Sequence, residues 1–319
     1  MPSPAVPPDA TLADLGEFGL VSAITERFAQ GERVLVGPGD DAAVVAFPDG
    51  RVVVSTDVLV EGRHFRRDWA SAHDIGRRVA AANLSDLNAM GGRATALTVA
   101  LAAPPSTPVQ WVLDLAEGIA EECALVGASV VGGDLAAADQ VVVAVSVLGE
   151  VSGEPVLRSG ARPGDVLAIA GRQGWAAGGL AVLGRGFRSP RKLVEAYQRP
   201  EPPYAAGARA AALGATAMID VSDGLLADVG HVAAASGVAV DVRSDAFEVA
   251  EPLRAVGAAL GADPLRFVLT GGDDHALVAT FPSGALLPEG WREIGAVGEG
   301  SGVTVDGAAY EGAGGHTHF

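Results

Sequence analysis

Carboxylates collect at one kind of place in this sequence. Asp40 and Asp41 stand in GPGDDAAVV, between a turn and a strand-like run. Asp57 ends VVVSTD, Asp86 lies in NLSDLNAMGG near a helix end, and Asp134 ends VVGGD. Asp220 and Asp223 straddle the strand end in IDVSDG, and Asp273 with Asp274 closes LTGGDD. Taken singly, each has a plain structural use, because Asp beside Gly suits turns and Asp caps helices. Taken together they point to chemistry. Carboxylates converging on one cleft repel one another unless divalent cations hold them. Oxygen donors without a His or Cys cluster select magnesium or calcium rather than zinc. Magnesium held by carboxylates commonly also coordinates a polyphosphate. The pattern therefore suggests nucleotide chemistry without a P-loop: GxxxxGK[ST] is absent, and the only lysine, Lys192, is followed by Leu193.

The elements that must position these residues read as alternating helices and strands. Residues 13–30 and 72–90 carry apolar side chains at helical spacing, and Thr107-Pro108 opens a long helix as N-cap and first-turn proline. Strand-like runs fall at 42–47, 51–56, 96–102, 130–131 and 141–148, with a Pro-Asp-Gly turn at 48–50. The turn-rich segment SGEPVLRSGARPGD then marks a joint near residue 151. Beyond it the spacing predicts strands at 166–170, 217–221 and 238–242, helices at 174–184, 204–213, 225–236 and near 247–260, and strands near 267–269, 276–281, 292–297 and 302–305. The expectation is a two-domain α/β (α+β) protein. Its parts are a flexible leader (1–12), an N-terminal domain (13–150) and a C-terminal domain (151–319).

Composition narrows the function. With 39 acidic residues against 22 basic ones the formal net charge is −17, the wrong sign for binding nucleic acid through its phosphates. No apolar stretch approaches a membrane span, and MPSPAVPPDATL has no signal-peptide pattern. One cysteine, Cys123, can form no internal disulfide, so a cytoplasmic protein is expected. Cys123 reads as an inert packing residue, and the Gly-Gly pair in GRQGWAAGGLAVL as a device for close helix packing.

In order along the chain, GEFGLVSAI, GPGDDAAVV, VVSTDVLVEGRHF, NLSDLNAMGG, VVGGD, LRSGARPGD, IDVSDGLLADVGHVA and LTGGDDHALVATF closely resemble the thiamine-monophosphate kinase family. The likeness covers about residues 16–281, with a weaker echo in His318-Phe319. It implies the aminoimidazole ribonucleotide synthetase-like fold, with two α/β halves and a homodimer joined through the N-terminal sheets. The implied reaction is phosphorylation of thiamine monophosphate to thiamine diphosphate by ATP. Transfer is direct and in line, with several Mg²⁺ ions, no phosphoenzyme and hence no covalent nucleophile. Carried over motif by motif, Asp41, Ser55, Thr56, Asp57, Asp86, Asp134, Asp220 and Asp223 would be magnesium ligands. Gly133, Asp134, Arg158 and Ser222 would lie against ATP, and His64 and Asp273 would face thiamine monophosphate. His64 also has a plain reading as a capped loop residue. Asp228 and His231, on the helix after SDG, could serve from behind these positions and are not counted among the site residues.

The chain departs from the family pattern in three places. Asp273 replaces the usual Glu, His275 replaces an aromatic residue, and the ending His316-Thr317-His318-Phe319 lacks the usual aromatic. Two other readings compete. One is another ATP-using member of the superfamily, although selenophosphate synthesis needs an N-terminal Cys or selenocysteine with a Lys, which are missing here. The other is a magnesium- or nucleotide-binding module without turnover, for which the full carboxylate set is more than is needed.

Overall fold

The computed structural model describes residues 10–38, 43–312 and 314–316, with 16–18 as helix backbone alone. Asp40, Asp41, His318 and Phe319 lie outside the described residues. The chain forms two compact units, one from residues up to Leu87 together with Arg93–Glu150, the other from Asn88–Gly92 together with the chain from Val151 onward.

In the first unit α1 (Leu12–Thr25) begins at Thr11, whose amide and hydroxyl donate to the Asp14 carboxylate at 2.9 and 2.6 Å. Ala10, just before this cap, is buried. A short β1 (Val34–Val36) pairs with β2 (Val44–Val45), and the turn at 48–50 leads into β3 (Val53–Val60). Then come α2 (Ala72–Ala89), β4 (Gly92–Ala103), α3 (Val109–Val126), β5 (Ser129–Ala137) and β6 (Val142–Val151). The sheet runs β3-β6-β4-β5, with β3 antiparallel to β6 and β4 parallel to β5.

Side chains alternate across this sheet as a pleat requires. Val143, Val145 and Val147 of β6 are fully buried on one face, whereas Val54 and Val58 of β3 are exposed. In the same unit α2 and α3 touch backbone to backbone. A Cβ on Gly76 would stand 2.1 Å from the Leu115 carbonyl oxygen, and one on Gly118 2.1 Å from that of His73. Only glycine permits that approach. The start of α3 differs from expectation: Pro108 is its N-cap, and the buried Thr107 hydroxyl has no hydrogen-bond partner among the described residues. Cys123 lies on the buried stripe of α3, as its spacing suggests.

The second unit contains β7 (Val166–Ala170), α4 (Trp175–Gly184), α5 (Arg191–Gln198), α6 (Ala206–Ala212), β8 (Ala217–Asp220), α7 (Leu225–Ser236) and β9 (Ala239–Val242). It continues with α8 (Glu251–Leu260), α9 (Leu265–Thr270), β10 (Leu277–Phe281), β11 (Trp291–Gly298), β12 (Gly302–Val305) and β13 (Ala308–Ala309). Its seven strands run β13-β12-β9-β11-β7-β10-β8, antiparallel except for β9 with β12. The run expected as a strand at 267–269 is helical, inside α9. Leu265, Val268 and Leu269 sit at i, i+3 and i+4, and a short apolar run cannot separate that helix face from a buried strand. The Gly178-Gly179 pair does serve packing, since a Cβ on Gly179 would stand 2.1 Å from the Leu193 carbonyl oxygen of α5. Among the described residues no helix is long and apolar enough to cross a membrane.

Candidate active site

The first unit supplies one group of the expected residues. Alternation along β3 places Ser55 and Asp57 on one face and Thr56 on the other. The Ser55 hydroxyl donates to Asp86 Oδ2 at 2.6 Å, so β3 and α2 bring a strand residue and a helix carboxylate together. Thr56 turns away: its hydroxyl donates to the Val145 carbonyl at 2.9 Å and accepts from Ser146 at 3.1 Å. Asp134 is exposed on β5. Its neighbour Gly133 packs against β4, where a Cβ would come within 1.9 Å of the Val99 carbonyl oxygen. Glycine there is a requirement of the sheet before it is one of any ligand. His64 follows β3, and its Nδ1 accepts the Val60 amide at 3.0 Å, which places the ring hydrogen on Nε2.

An apolar cavity of about 830 Å³ lies within this unit. Ile24 and Phe28 of α1, Leu115 and Ile119 of α3, and Gly133 and Asp134 of β5 contribute to its wall. Its size and lining are those of a small-molecule pocket.

The second unit supplies another group, built on two loops that are fastened to each other. One is Val221–Gly224, between β8 and α7; the other is Gly271–Ala276, between α9 and β10. The Val221 amide donates to the Ala276 carbonyl at 2.8 Å, the His275 amide to Val221 at 3.2 Å, and the Asp273 amide to Ser222 at 2.9 Å. Glycines make the contact possible. A Cβ on Gly272 would stand 2.0 Å from the Ser222 carbonyl oxygen, and one on Gly224, whose φ is +140°, 2.6 Å from that of Thr270. Asp273 and His275 are themselves left-handed, with φ of 65° and 51°. Such φ values are uncommon for residues other than glycine. The third docked piece is 314–316: the His316 amide donates to the Asp223 carbonyl at 2.9 Å.

Three carboxylates serve these loops. Asp220 is buried at the end of β8, with Oδ2 3.1 Å from His275 Nδ1. Asp223 is half-buried at the loop itself. Asp228 is buried one turn into α7, where its Oδ2 accepts the amides of Ser222, Asp223 and Gly224 at 3.1, 3.1 and 3.0 Å. Burial pushes the Asp228 carboxyl up to about 7, the loop amides oppose that, and the charges of Asp220 and Asp223 add to it. Asp274 performs a different task, accepting the Ala176 amide at 3.0 Å at the start of α4. Its Oδ2 is buried with no hydrogen-bond partner among the described residues, and burial pushes this carboxyl up to about 7. Ser222 and Arg158 are exposed; Arg158 opens a short 3₁₀ turn whose carbonyl accepts the Ser236 hydroxyl of α7 at 2.8 Å.

Two dedicated domain families match the chain in sequence: the AIR synthase related protein N-terminal domain over residues 39–151 and its C-terminal domain over 162–306. Thiamine-monophosphate kinase of Mycobacterium tuberculosis is 48% identical over 97% of this chain and 93% of its own length. That of Corynebacterium glutamicum is 41% identical over 90% of this chain and 87% of its own. The chain belongs to the thiamine-monophosphate kinase family. Among solved structures, AaThiL complexed with AMPPCP and TMP is 31% identical, superposes with a TM-score of 0.80, and covers 97% of this chain and 99% of its own.

Within a thiamine-monophosphate kinase scaffold, the residue that motif reading leaves in the background is Asp228. A signal for it exists in the sequence, since an aspartate among Leu225, Val229 and Val232 on an apolar helix face needs a buried partner. The partner is the amide array of the SDG loop.

Proposed function

We propose that this chain is a kinase that moves the γ-phosphate of ATP onto thiamine monophosphate, forming thiamine diphosphate with the help of magnesium ions. Its kinship with thiamine-monophosphate kinases over nearly its whole length carries the reading. The donors present suit a hard cation, being carboxylates and hydroxyls without thiolates. Among the described residues no three His, Cys, Asp or Glu side chains stand together as a ready metal site. Magnesium keeps waters and takes one or two carboxylates along with substrate phosphate oxygens.

In this reading Ser55, Asp57, Asp86 and Asp134 of the first unit, and Asp220 and Asp223 of the second, would hold magnesium, together with Asp41. Thr56 would take part through its main chain, because its hydroxyl is committed to Val145. Bound magnesium supplies positive charge that offsets repulsion between the phosphates. The remaining tasks belong to the protein. Asp228 fixes the amides of residues 222–224 and so sets the direction of Ser222 and Asp223. Arg158 would give ATP a charge-assisted hydrogen bond, the part a lysine plays in P-loop enzymes. The apolar cavity would take the adenosine portion, with Gly133 and Asp134 in its wall. Asp273 offers a carboxylate to the cationic thiamine moiety, and His64 would meet the substrate through Nε2. No side chain is asked to attack phosphorus, so positioning and charge do the catalysis.

We also infer a homodimer formed through the first unit's sheet, supported by Val54 and Val58 exposed on one face of β3. A cytoplasmic location goes with the same reading. The test is ADP release with Mg²⁺ and ATP, with and without thiamine monophosphate. Release that depends on thiamine monophosphate, with thiamine diphosphate as product, is expected. Tight nucleotide binding without such release would move the search to another phosphate acceptor.

A further inference from the structure

We propose that His275 is a positioning residue for Asp220, holding that carboxylate for a divalent cation through a hydrogen bond from Nδ1. The inference rests on the reading of Asp220 as a magnesium ligand. Four observations carry it. The two side chains are about 94% buried, each 6% exposed, and Asp220 Oδ2 lies 3.1 Å from His275 Nδ1. A metal-binding carboxylate is ionised and can only accept, so Nδ1 bears the hydrogen and donates it. The backbone of His275 is fixed independently, by its amide bond to Val221 and by β-pairing of the next residues, with Leu277 opposite Asp220. Finally, His275 stands in the left-handed region at φ 51°, which sets the direction in which its ring leaves the loop.

The result is a bracket. β10 and the loop before it carry the histidine, β8 carries the aspartate, and the ring fixes one oxygen of the carboxylate. The other oxygen thereby keeps a defined direction. Hydrogen bonds of this outer kind set the orientation and basicity of metal ligands, and their loss typically costs about 10–100-fold in metal affinity or activity.

The experiment is Mn²⁺ binding, followed by the paramagnetic signal of the free ion, in the presence of a non-hydrolysable ATP analogue. Five proteins are compared: wild type, His275→Phe, His275→Asn, Asp220→Asn and the double variant Asp220→Asn/His275→Phe. Phe keeps the bulk and removes the donor. Asn offers an amide N–H near the Nδ1 position and tolerates positive φ. His275→Phe should weaken Mn²⁺ binding about 10-fold or more, and His275→Asn should restore most of it. The apparent Mg²⁺ requirement for turnover should rise in the same order, while kcat at saturating Mg²⁺ changes less. In the Asp220→Asn background His275→Phe should add almost nothing, whereas a merely structural histidine would add its full effect there. Equal Mn²⁺ affinity in wild type and His275→Phe, with Asp220→Asn weakened, would overturn the role of His275 alone. Unchanged affinity in Asp220→Asn would instead remove Asp220 from the metal site, and the proposal with it. Thermal melting of each variant accompanies the titrations, and if His275→Phe does not fold, wild-type-like binding by an Asn variant that melts normally is still required.

Discussion

The two units support their functional carboxylates in different ways. In the first, Asp57 and Asp86 stand on regular elements, a strand and a helix, and the bond that joins Ser55 to Asp86 is side chain to side chain. In the second, Asp220 and Asp223 stand at a strand end and on a loop, where main-chain amides, a buried carboxylate and glycine contacts do the holding. Regular elements come with their own backbone hydrogen bonds, so their side chains are aimed from a frame already fixed. A loop has none of that regularity and must acquire it from partners. The second unit is therefore the more demanding place to change a residue.

Mutations in both units test whether the comparison is right. Asp57→Asn and Asp223→Asn keep volume and remove one charge each from the proposed metal sites. Each should lower kcat by roughly 10²–10³-fold or more, with melting temperature near wild type. Wild-type turnover in either, at saturating Mg²⁺, would strike that residue from the site. Asp228→Ala should be the most destabilising change among the carboxylates that serve the second unit's two loops. It leaves three loop amides without their acceptor, and about 3 kcal/mol of stability should go, read by urea unfolding. A loss under 1 kcal/mol would mean that the loop holds itself.

The pH dependence of stability sharpens the contrast next. Asp274 has its carboxyl raised to about 7 from an ordinary 3.8, by burial first. Between those values the folded chain keeps a proton that the unfolded chain has released. The associated stability is fully present below about pH 4 and is lost as pH rises through about 7. Asp228 is shifted in the same direction and to a similar value. Unfolding free energy should therefore fall from pH 5 to pH 8, and Asp274→Asn should flatten the fall by on the order of 2–4 kcal/mol. A slope unchanged in Asp274→Asn would show that this carboxyl ionises normally.

Smaller effects belong to the first unit. Ser55→Ala removes a single part-buried hydrogen bond and should cost about 1 kcal/mol with a few-fold change in the Mg²⁺ requirement. An effect as large as that of Asp228→Ala would erase the distinction between the units. Cys123 should show the least of all. Its thiol is pushed up to about 12 by burial, with the Glu122 charge adding to it, so a thiol reagent should label the unfolded chain and leave the folded one alone.

Much of this was legible before the structure. Strands such as 166–170 and helices such as 225–236 were bounded by period and by glycine or aspartate at their ends, and the carboxylate motifs were readable as a set. What escaped reading depends on distant neighbours. The helical nature of 265–270 hinges on packing, because three apolar residues fit either element. Thr107 has the chemistry of a cap, yet its hydroxyl is buried elsewhere while Pro108 takes the position. The motif VVSTD gives no warning that Thr56 faces away from Ser55, except through strand alternation, which argues against both being ligands by side chain. Asp228 could be suspected from its apolar surroundings, but the three amides it accepts lie in a loop whose shape the sequence does not disclose.

The glycine contacts between residues 221–224 and 271–276 also say how this enzyme can be recombined. Where Gly272 meets the Ser222 carbonyl and Gly224 meets that of Thr270, neither loop has room for a partner of different shape. A chimera that borrows one loop from a relative and keeps the other would join two halves of a mould cast separately. Crossovers placed to inherit both segments from one parent should yield folded hybrids far more often than crossovers placed between them.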